Sequence, residues 1–129
     1  MVLDTSAIVA ILFREADRLV FQSAIAEADQ CILSAVTRVE AALVVEGRKG
    51  EDGGTDLERL LSTCGAEVAA VSPEQAALAI DAFRRYGKGR HPAGLNLGDC
   101  FSYALARASG QALLFKGDDF KQTDIKPAI

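Results

Sequence analysis

The chain of 129 residues contains no tryptophan, one histidine, three prolines and three cysteines. A single histidine argues against a zinc site with several histidine ligands. It also leaves a Ser-His-Asp triad dependent on His91, without a G-x-S-x-G turn to support one. Because no C-x-x-C spacing occurs, we expect free thiols that pack as small hydrophobic side chains rather than a disulfide framework; these are Cys31, Cys64 and Cys100.

The sequence also lacks long hydrophobic runs. No apolar stretch approaches the roughly 20 residues of a membrane helix, and no basic segment precedes an apolar stretch at the start, as in a signal peptide. We therefore expect a cytoplasmic protein that does not enter a membrane. Half of the residues are hydrophobic and a quarter are charged, which predicts one globular domain over residues 1–129.

Charge of positive sign is in short supply, because the net charge is −4. This argues against a protein that coats nucleic acid through bulk charge, although a nuclease with local substrate contacts remains compatible. The local exception is the segment RRYGKGRH at residues 84–91, which holds four of the fourteen basic residues and the only histidine.

Short apolar segments alternate with segments of helical period along the chain. This order predicts an α/β fold with a mainly parallel central sheet, whose ligands bind beyond the carboxyl ends of the strands. Loops are predicted at 51–54 (EDGG) and 88–98. The predicted strands cover 2–3, 31–34, 67–71 and 111–116, with a weaker candidate at 124–129. The predicted helices cover 6–13, 15–28, 37–50, 55–65, 72–87 and 99–110.

Glu40 interrupts an apolar stripe on its predicted helix, which consists of Val36, Val39, Leu43 and Val44. If the stripe is buried, burying an unpaired carboxylate there costs free energy. Pairing with a cationic side chain, protonation or binding of a metal ion would reduce this cost. A salt bridge and a register that leaves Glu40 exposed are the structural alternatives.

Four other acidic residues stand at predicted strand ends or helix starts: Asp4, Asp99, Asp118 and Asp119. Each has a structural explanation by itself, since aspartate caps helices and stabilises turns. Carboxylates gathered in one pocket would repel each other unless a cation lay among them. Oxygen ligands favour Mg²⁺ or Mn²⁺, which can activate water for attack on a phosphodiester.

The chain resembles the PIN-domain ribonucleases, and especially the VapC-type toxins of type II toxin–antitoxin systems. The resemblance covers nearly the whole chain and is most specific in its third and fourth segments. The segments are MVLDTSAIVAIL (1–12), SAVTRVEAALVVEGR (34–48), YGKGRHPAGLNLGDCFSYALA (86–106) and LLFKGDDFKQTDI (113–125).

The resemblance implies that Asp4, Glu40 and Asp99 hold Mg²⁺, with Mn²⁺ as a substitute. It also implies a fourth acid, for which Asp119 is preferred and Asp118 is the alternative.

Phe115 stands where the family often has a threonine that leads the turn containing this fourth acid. Ser6 matches a hydroxyl position that binds water or phosphate, whereas Thr5 is expected to cap a helix. The remaining residues expected to bind substrate are the basic loop residues Lys88, Arg90 and His91, through RNA phosphates.

For the whole chain, the resemblance implies a three-layer α/β/α PIN-like domain with four to five short strands. It implies an endoribonuclease toxin that hydrolyses RNA, such as transfer or ribosomal RNA, with a metal-activated water. A VapB-type antitoxin would hold it inactive, and the toxin would be a homodimer. The alternatives are a catalytically inactive PIN-like binding module and a metal-dependent phosphatase of another α/β type.

Overall fold

A computed structural model describes all residues from 1 to 129. Its four strands are β1 (Val2–Leu3), β2 (Ile32–Ser34), β3 (Glu67–Ala69) and β4 (Leu113–Leu114). They form one sheet in the order β3-β2-β1-β4, and every neighbouring pair is parallel. The predicted parallel α/β fold is therefore confirmed, and β1 lies between β2 and β4 inside the sheet.

The weaker candidate strand at 124–129 is not a strand. The chain there makes one isolated parallel bridge, between Leu113 and Pro127. Leu113 donates to the carbonyl of Lys126, and Ala128 donates to the carbonyl of Leu113. The bonds use the carbonyl of Lys126 and the N–H of Ala128, so Pro127 contributes neither of its backbone groups to β4. The segment covers the sheet edge through this single bridge and forms no strand.

Six helices surround the sheet: α1 (Thr5–Leu12), α2 (Arg18–Glu27), α3 (Ala35–Lys49), α4 (Glu51–Thr63), α5 (Pro73–Tyr86) and α6 (Leu97–Ser109). A short 3₁₀ helix follows at Phe120–Gln122. No helix combines the length and the apolar content that crossing a membrane would require.

The predicted loop at 51–54 is wrong, because these residues form the first turn of α4. Gly50 has a φ of 64° and turns the chain between α3 and α4, a backbone angle that favours glycine. Glu51 and Asp52 suit the positive end of the α4 dipole. A Cβ atom on Gly53 would overlap the carbonyl of Val45, so this glycine allows the two helices to pack closely.

Successive side chains of a strand point to opposite faces of the sheet, which divides the core into two halves. Val2 and Leu113 face the cluster built mainly with α5 and α6. Leu3 and Leu114 face the cluster built with α1 to α4. The sheet therefore forms the middle of three layers, and the carboxyl ends of β1, β2 and β4 open at one edge.

Candidate active site

Asp4 follows β1 and is 2% exposed. Its side chain caps α1 by accepting a hydrogen bond from the Ser6 backbone N–H at 2.9 Å. The Ser6 hydroxyl donates to the same Oδ2 atom at 2.5 Å, and the Ser102 hydroxyl donates to Oδ1 at 2.7 Å. The expectation that Thr5 caps this helix is wrong, because Asp4 fills the cap position and Thr5 is the first helical residue.

Ser6 connects Asp4 to the end of β4. The backbone N–H of Lys116 donates to the Ser6 hydroxyl oxygen at 2.9 Å, while the single Ser6 hydroxyl proton points to Asp4. Two segments far apart in sequence thus meet at this hydroxyl, which is the position expected to bind water or phosphate.

Glu40 lies one and a half turns into α3, on the border between core and solvent. The Thr5 hydroxyl donates to its Oε1 atom at 2.5 Å. The apolar stripe around Glu40 is not a core face, because Val39 is 58% and Leu43 is 68% exposed. The residues of α3 that reach the core are Thr37, Ala41 and Val45. Glu40 is therefore held by a hydroxyl group rather than by a salt bridge.

Gly98 is a residue that sequence reasoning missed. A Cβ atom built on it would overlap the carboxylate of Glu40. The lack of a side chain at this position lets the Glu40 carboxylate lie directly against the first turn of α6. The only sequence signal was a glycine immediately before Asp99, within a segment that was predicted to be a loop.

Asp99 stands in the first turn of α6, which begins two residues before the predicted start at Asp99. Asn96 is the cap residue: its side chain accepts from the Asp99 N–H at 2.9 Å, and its own N–H donates to Asp99 Oδ2 at 3.0 Å. Asp99 thus completes a capping box rather than acting as the cap.

Burial raises the pKa of Asp99 from 3.8 to about 7. The N–H of Asn96 opposes this rise, and the negative charges of Asp4, Glu40 and Asp119 add to it. The charges of three acids from other segments therefore act on the Asp99 carboxylate at the carboxyl edge of the sheet.

The two adjacent acids after β4 have different surroundings. Asp119 is among the charges that raise the pKa of Asp99. The side chain of Asp118 is 84% exposed and pairs with Lys121 at 2.9 Å. Phe115 is 8% exposed and packs against Phe120, with ring centroids 5.2 Å apart, so the position expected to hold threonine belongs to the core. The choice of Asp119 over Asp118 as the fourth acid stays a prediction, which the exposure and the ion pair of Asp118 favour.

The first residue of the basic loop is held against the segment that leads into α6. Lys88 donates its backbone N–H to the carbonyl of Leu95 at 2.9 Å, directly before the cap residue Asn96. Lys88 and Arg90 are exposed, and the Arg90 guanidinium lies over the Phe83 ring at 5.1 Å.

The ring of His91 is held in place by two neighbours. Its Nδ1 atom accepts from the N–H of Ala93 at 3.0 Å, which assigns the ring proton to Nε2. The ring also packs edge-on against Tyr86, with centroids 5.2 Å apart. RNA contacts by the loop residues remain a prediction.

The side chains of the site offer oxygen donors alone, which is the donor chemistry that Mg²⁺ prefers. No three histidine, cysteine or acidic side chains are grouped closely enough to enclose an ion by themselves. Mg²⁺ usually keeps several waters and takes only one or two carboxylates, so a closed cage is not required. Asp4 accepts three hydrogen bonds, which leaves about one of its four lone-pair sites, on Oδ1, for a ligand contact.

Comparison with known proteins gave consistent results. The family model for the PIN domain matches residues 1–126. Ribonuclease VapC30 of Mycobacterium tuberculosis is 53% identical over 126 residues, with 97% of this chain and 95% of the relative covered. Ribonuclease VapC of Mycolicibacterium smegmatis is 51% identical over 125 residues, with 97% of each chain covered.

The fold also matches a solved structure. The crystal structure of Mycobacterium tuberculosis VapC20, described as a toxin that cleaves the sarcin–ricin loop, matches with a TM-score of 0.79. The match covers 96% of this chain and 95% of VapC20 at 16% sequence identity, so it supports the fold alone.

Proposed function

This chain belongs to the PIN-domain family and resembles its VapC ribonucleases throughout its length, and on that basis we propose that it is a Mg²⁺-dependent endoribonuclease toxin. The observation that carries the proposal is the meeting of three acids at α6: Asp4 bonds to Ser102 of this helix, the Glu40 carboxylate lies against Gly98, and Asp99 follows in the first turn. Carboxylate oxygens gathered in this way are suited to hold a divalent cation, and Asp119 is the proposed fourth acid.

The chain's own residues would divide the work of hydrolysis. Bound Mg²⁺, or Mn²⁺ in its place, would activate water and neutralise phosphate charge. Three hydrogen bonds hold the Asp4 carboxylate in position, and the Thr5 hydroxyl holds that of Glu40. Asp99 can hold a proton at neutral pH, because its pKa is about 7. It would have to release that proton before it could bind a metal ion.

RNA would approach from the side of the basic loop. Lys88, Arg90 and His91 would contact phosphates. Ser6 would accept a hydrogen bond from a water beside Asp4, because its single proton already points to Asp4 and is not free for a phosphate. Because the acids repel an RNA backbone unless a cation is present, cleavage should depend strictly on metal. Transfer RNA or a loop of ribosomal RNA is the proposed class of substrate.

We also propose that two copies of the protein form a homodimer and that a cognate VapB-type antitoxin binds it. Exposed apolar side chains from α3, α5 and α6 form one face, which we call the apolar face: Val39, Leu43, Ile80, Phe83 and Leu97. A groove of about 760 Å³ between α3 and α6 lies on this face and includes Glu40. Because stable homodimer interfaces are typically apolar, we assign the apolar face to a second copy of the chain. The antitoxin would inhibit the enzyme by blocking access to the acids.

Cleavage of transfer and ribosomal RNA by the purified protein tests the activity directly. We expect cleavage with Mg²⁺ or Mn²⁺, none with chelator, and none from Asp4→Asn or Asp119→Asn. Asp118→Asn is the matched control and should cleave normally, because its carboxylate faces Lys121 and solvent. Sequencing of the cut ends would identify the target. Equal cleavage by wild type and Asp4→Asn, in preparations free of other nucleases, would refute the assignment.

A further inference from the structure

Two fully buried hydroxyl groups stand behind the Asp4 carboxylate. Ser102 on α6 and Thr37 on α3 are both 0% exposed. The Ser102 hydroxyl is 2.7 Å from Asp4 Oδ1, and the Thr37 hydroxyl is 3.2 Å from that of Ser102. Neither residue belongs to the acidic group described above.

The direction of these hydrogen bonds follows from counting protons. A serine hydroxyl has one proton, and an ionised carboxylate can only accept. Ser102 must therefore donate to Asp4, and the proton in the second contact must come from Thr37. The pair forms a directed chain that runs from Thr37 to Ser102 to Asp4 Oδ1.

The position of each hydroxyl relates it to a second acid. Thr37 lies three residues before Glu40 on α3, and Ser102 lies three residues after Asp99 on α6. Residues three apart lie on the same face of a helix. The contact between the two hydroxyls therefore joins the two helices that carry Glu40 and Asp99, and its last bond joins both helices to Asp4.

We propose that Thr37 and Ser102 are positioning residues, which set the Asp4 carboxylate relative to Glu40 and Asp99 and orient its remaining Oδ1 lone pair for a divalent cation. This inference rests on the proposed metal-dependent function. Groups that orient metal-binding carboxylates commonly change metal affinity by 10–100-fold when removed.

Mn²⁺ binding measured by electron paramagnetic resonance tests the proposal without relying on RNA cleavage. We expect Ser102→Ala to weaken Mn²⁺ binding about tenfold. Thr37→Val keeps the shape of the side chain but removes its hydroxyl, so it should weaken Mn²⁺ binding less than Ser102→Ala does. Thr37→Ser keeps the hydroxyl and should bind Mn²⁺ like the wild type. Because Thr37 acts through Ser102, the double variant should bind Mn²⁺ as weakly as Ser102→Ala alone.

Ser109→Ala is the matched control, because Ser109 is on the same helix and its hydroxyl bonds only to carbonyls of that helix. It should bind Mn²⁺ like the wild type. Folded Ser102→Ala with unchanged affinity, or additive losses in the double variant, would overturn the proposal. If Ser102→Ala does not fold, the comparison of Thr37→Val with Thr37→Ser decides. A wild type that binds no Mn²⁺ would instead overturn the metal-dependent function, and this inference with it.

Discussion

Replacing Asp99 by asparagine should make the metal-free protein more stable at alkaline pH. The pKa of Asp99 is raised from 3.8 to about 7 in the folded protein, so the folded state holds this proton more tightly than the unfolded state does. The stabilisation from protonation is complete below about pH 4 and is lost as the pH rises through 7. Asparagine stays neutral throughout and can still accept the hydrogen bond from the Asn96 N–H.

The expected magnitude follows from the size of the pKa shift. One pKa unit corresponds to about 1.4 kcal/mol, so the charge on Asp99 costs at most about 4 kcal/mol above pH 7. Because this carboxylate is partly exposed, solvent screening reduces the cost, and we expect a gain of about 1–2 kcal/mol. That gain corresponds to a rise in Tm of roughly 4–10 °C for a chain of this size.

Urea unfolding with chelator present, at pH 8 and at pH 4, measures the effect. The gain should be present at pH 8 and absent at pH 4. Added Mg²⁺ should stabilise wild type, by about 2.7 kcal/mol at 100 times the dissociation constant, and should leave Asp99→Asn nearly unchanged. Asp118→Asn is the control: it should show no gain at pH 8 and should be stabilised by Mg²⁺ like the wild type. Equal or lower stability of Asp99→Asn at pH 8 would refute the argument that burial and neighbouring acids destabilise this charge.

Three further predictions concern the surroundings of the acids. Gly98→Ala should displace the Glu40 carboxylate and reduce the cleavage rate, with the fold retained by circular dichroism; an unchanged rate would show that the carboxylate moves without cost. Leu43→Asp should yield a monomer in analytical ultracentrifugation, whereas Leu19→Asp, outside the apolar face, should not; a dimer in both would exclude this face. Arg90→Ala should weaken RNA binding and reduce its salt dependence without changing Mn²⁺ affinity, and an unchanged salt slope would count against a phosphate contact.

The order of strands and helices could be predicted from the sequence because it depends on local patterns. The segment 72–87 illustrates this: Ser72 caps α5, Pro73 begins it, and Gly87 follows it. The prediction was wrong at 51–54, where two glycines suggested a loop. One of them, Gly53, is instead required by the close packing of α4 on the α3 backbone, which no local pattern reports.

The acidic residues could be proposed from the sequence, but the groups that hold them could not. The hydrogen bonds from Thr5 to Glu40 and from Ser102 to Asp4 span 35 and 98 residues. Hydroxyl residues are common, and only the packing of α3 and α6 selects these. The apolar stripe beside Glu40 shows a second limit of sequence-based prediction. A helical pattern identifies an apolar face, but it does not say whether this chain or a second one covers that face.

The position of β1 inside the sheet has a consequence for biosynthesis. Asp4 is made well before the segments it needs, because its strand pairs with β4, at Leu113–Leu114, and the Lys116 N–H that bonds to Ser6 comes later still. A nascent chain that has grown to Asp99 therefore still lacks residues 113–116, which complete the proposed active site. Assembly of this edge of the sheet waits until residues 113–116 have been made, however early residues 2–6 leave the ribosome.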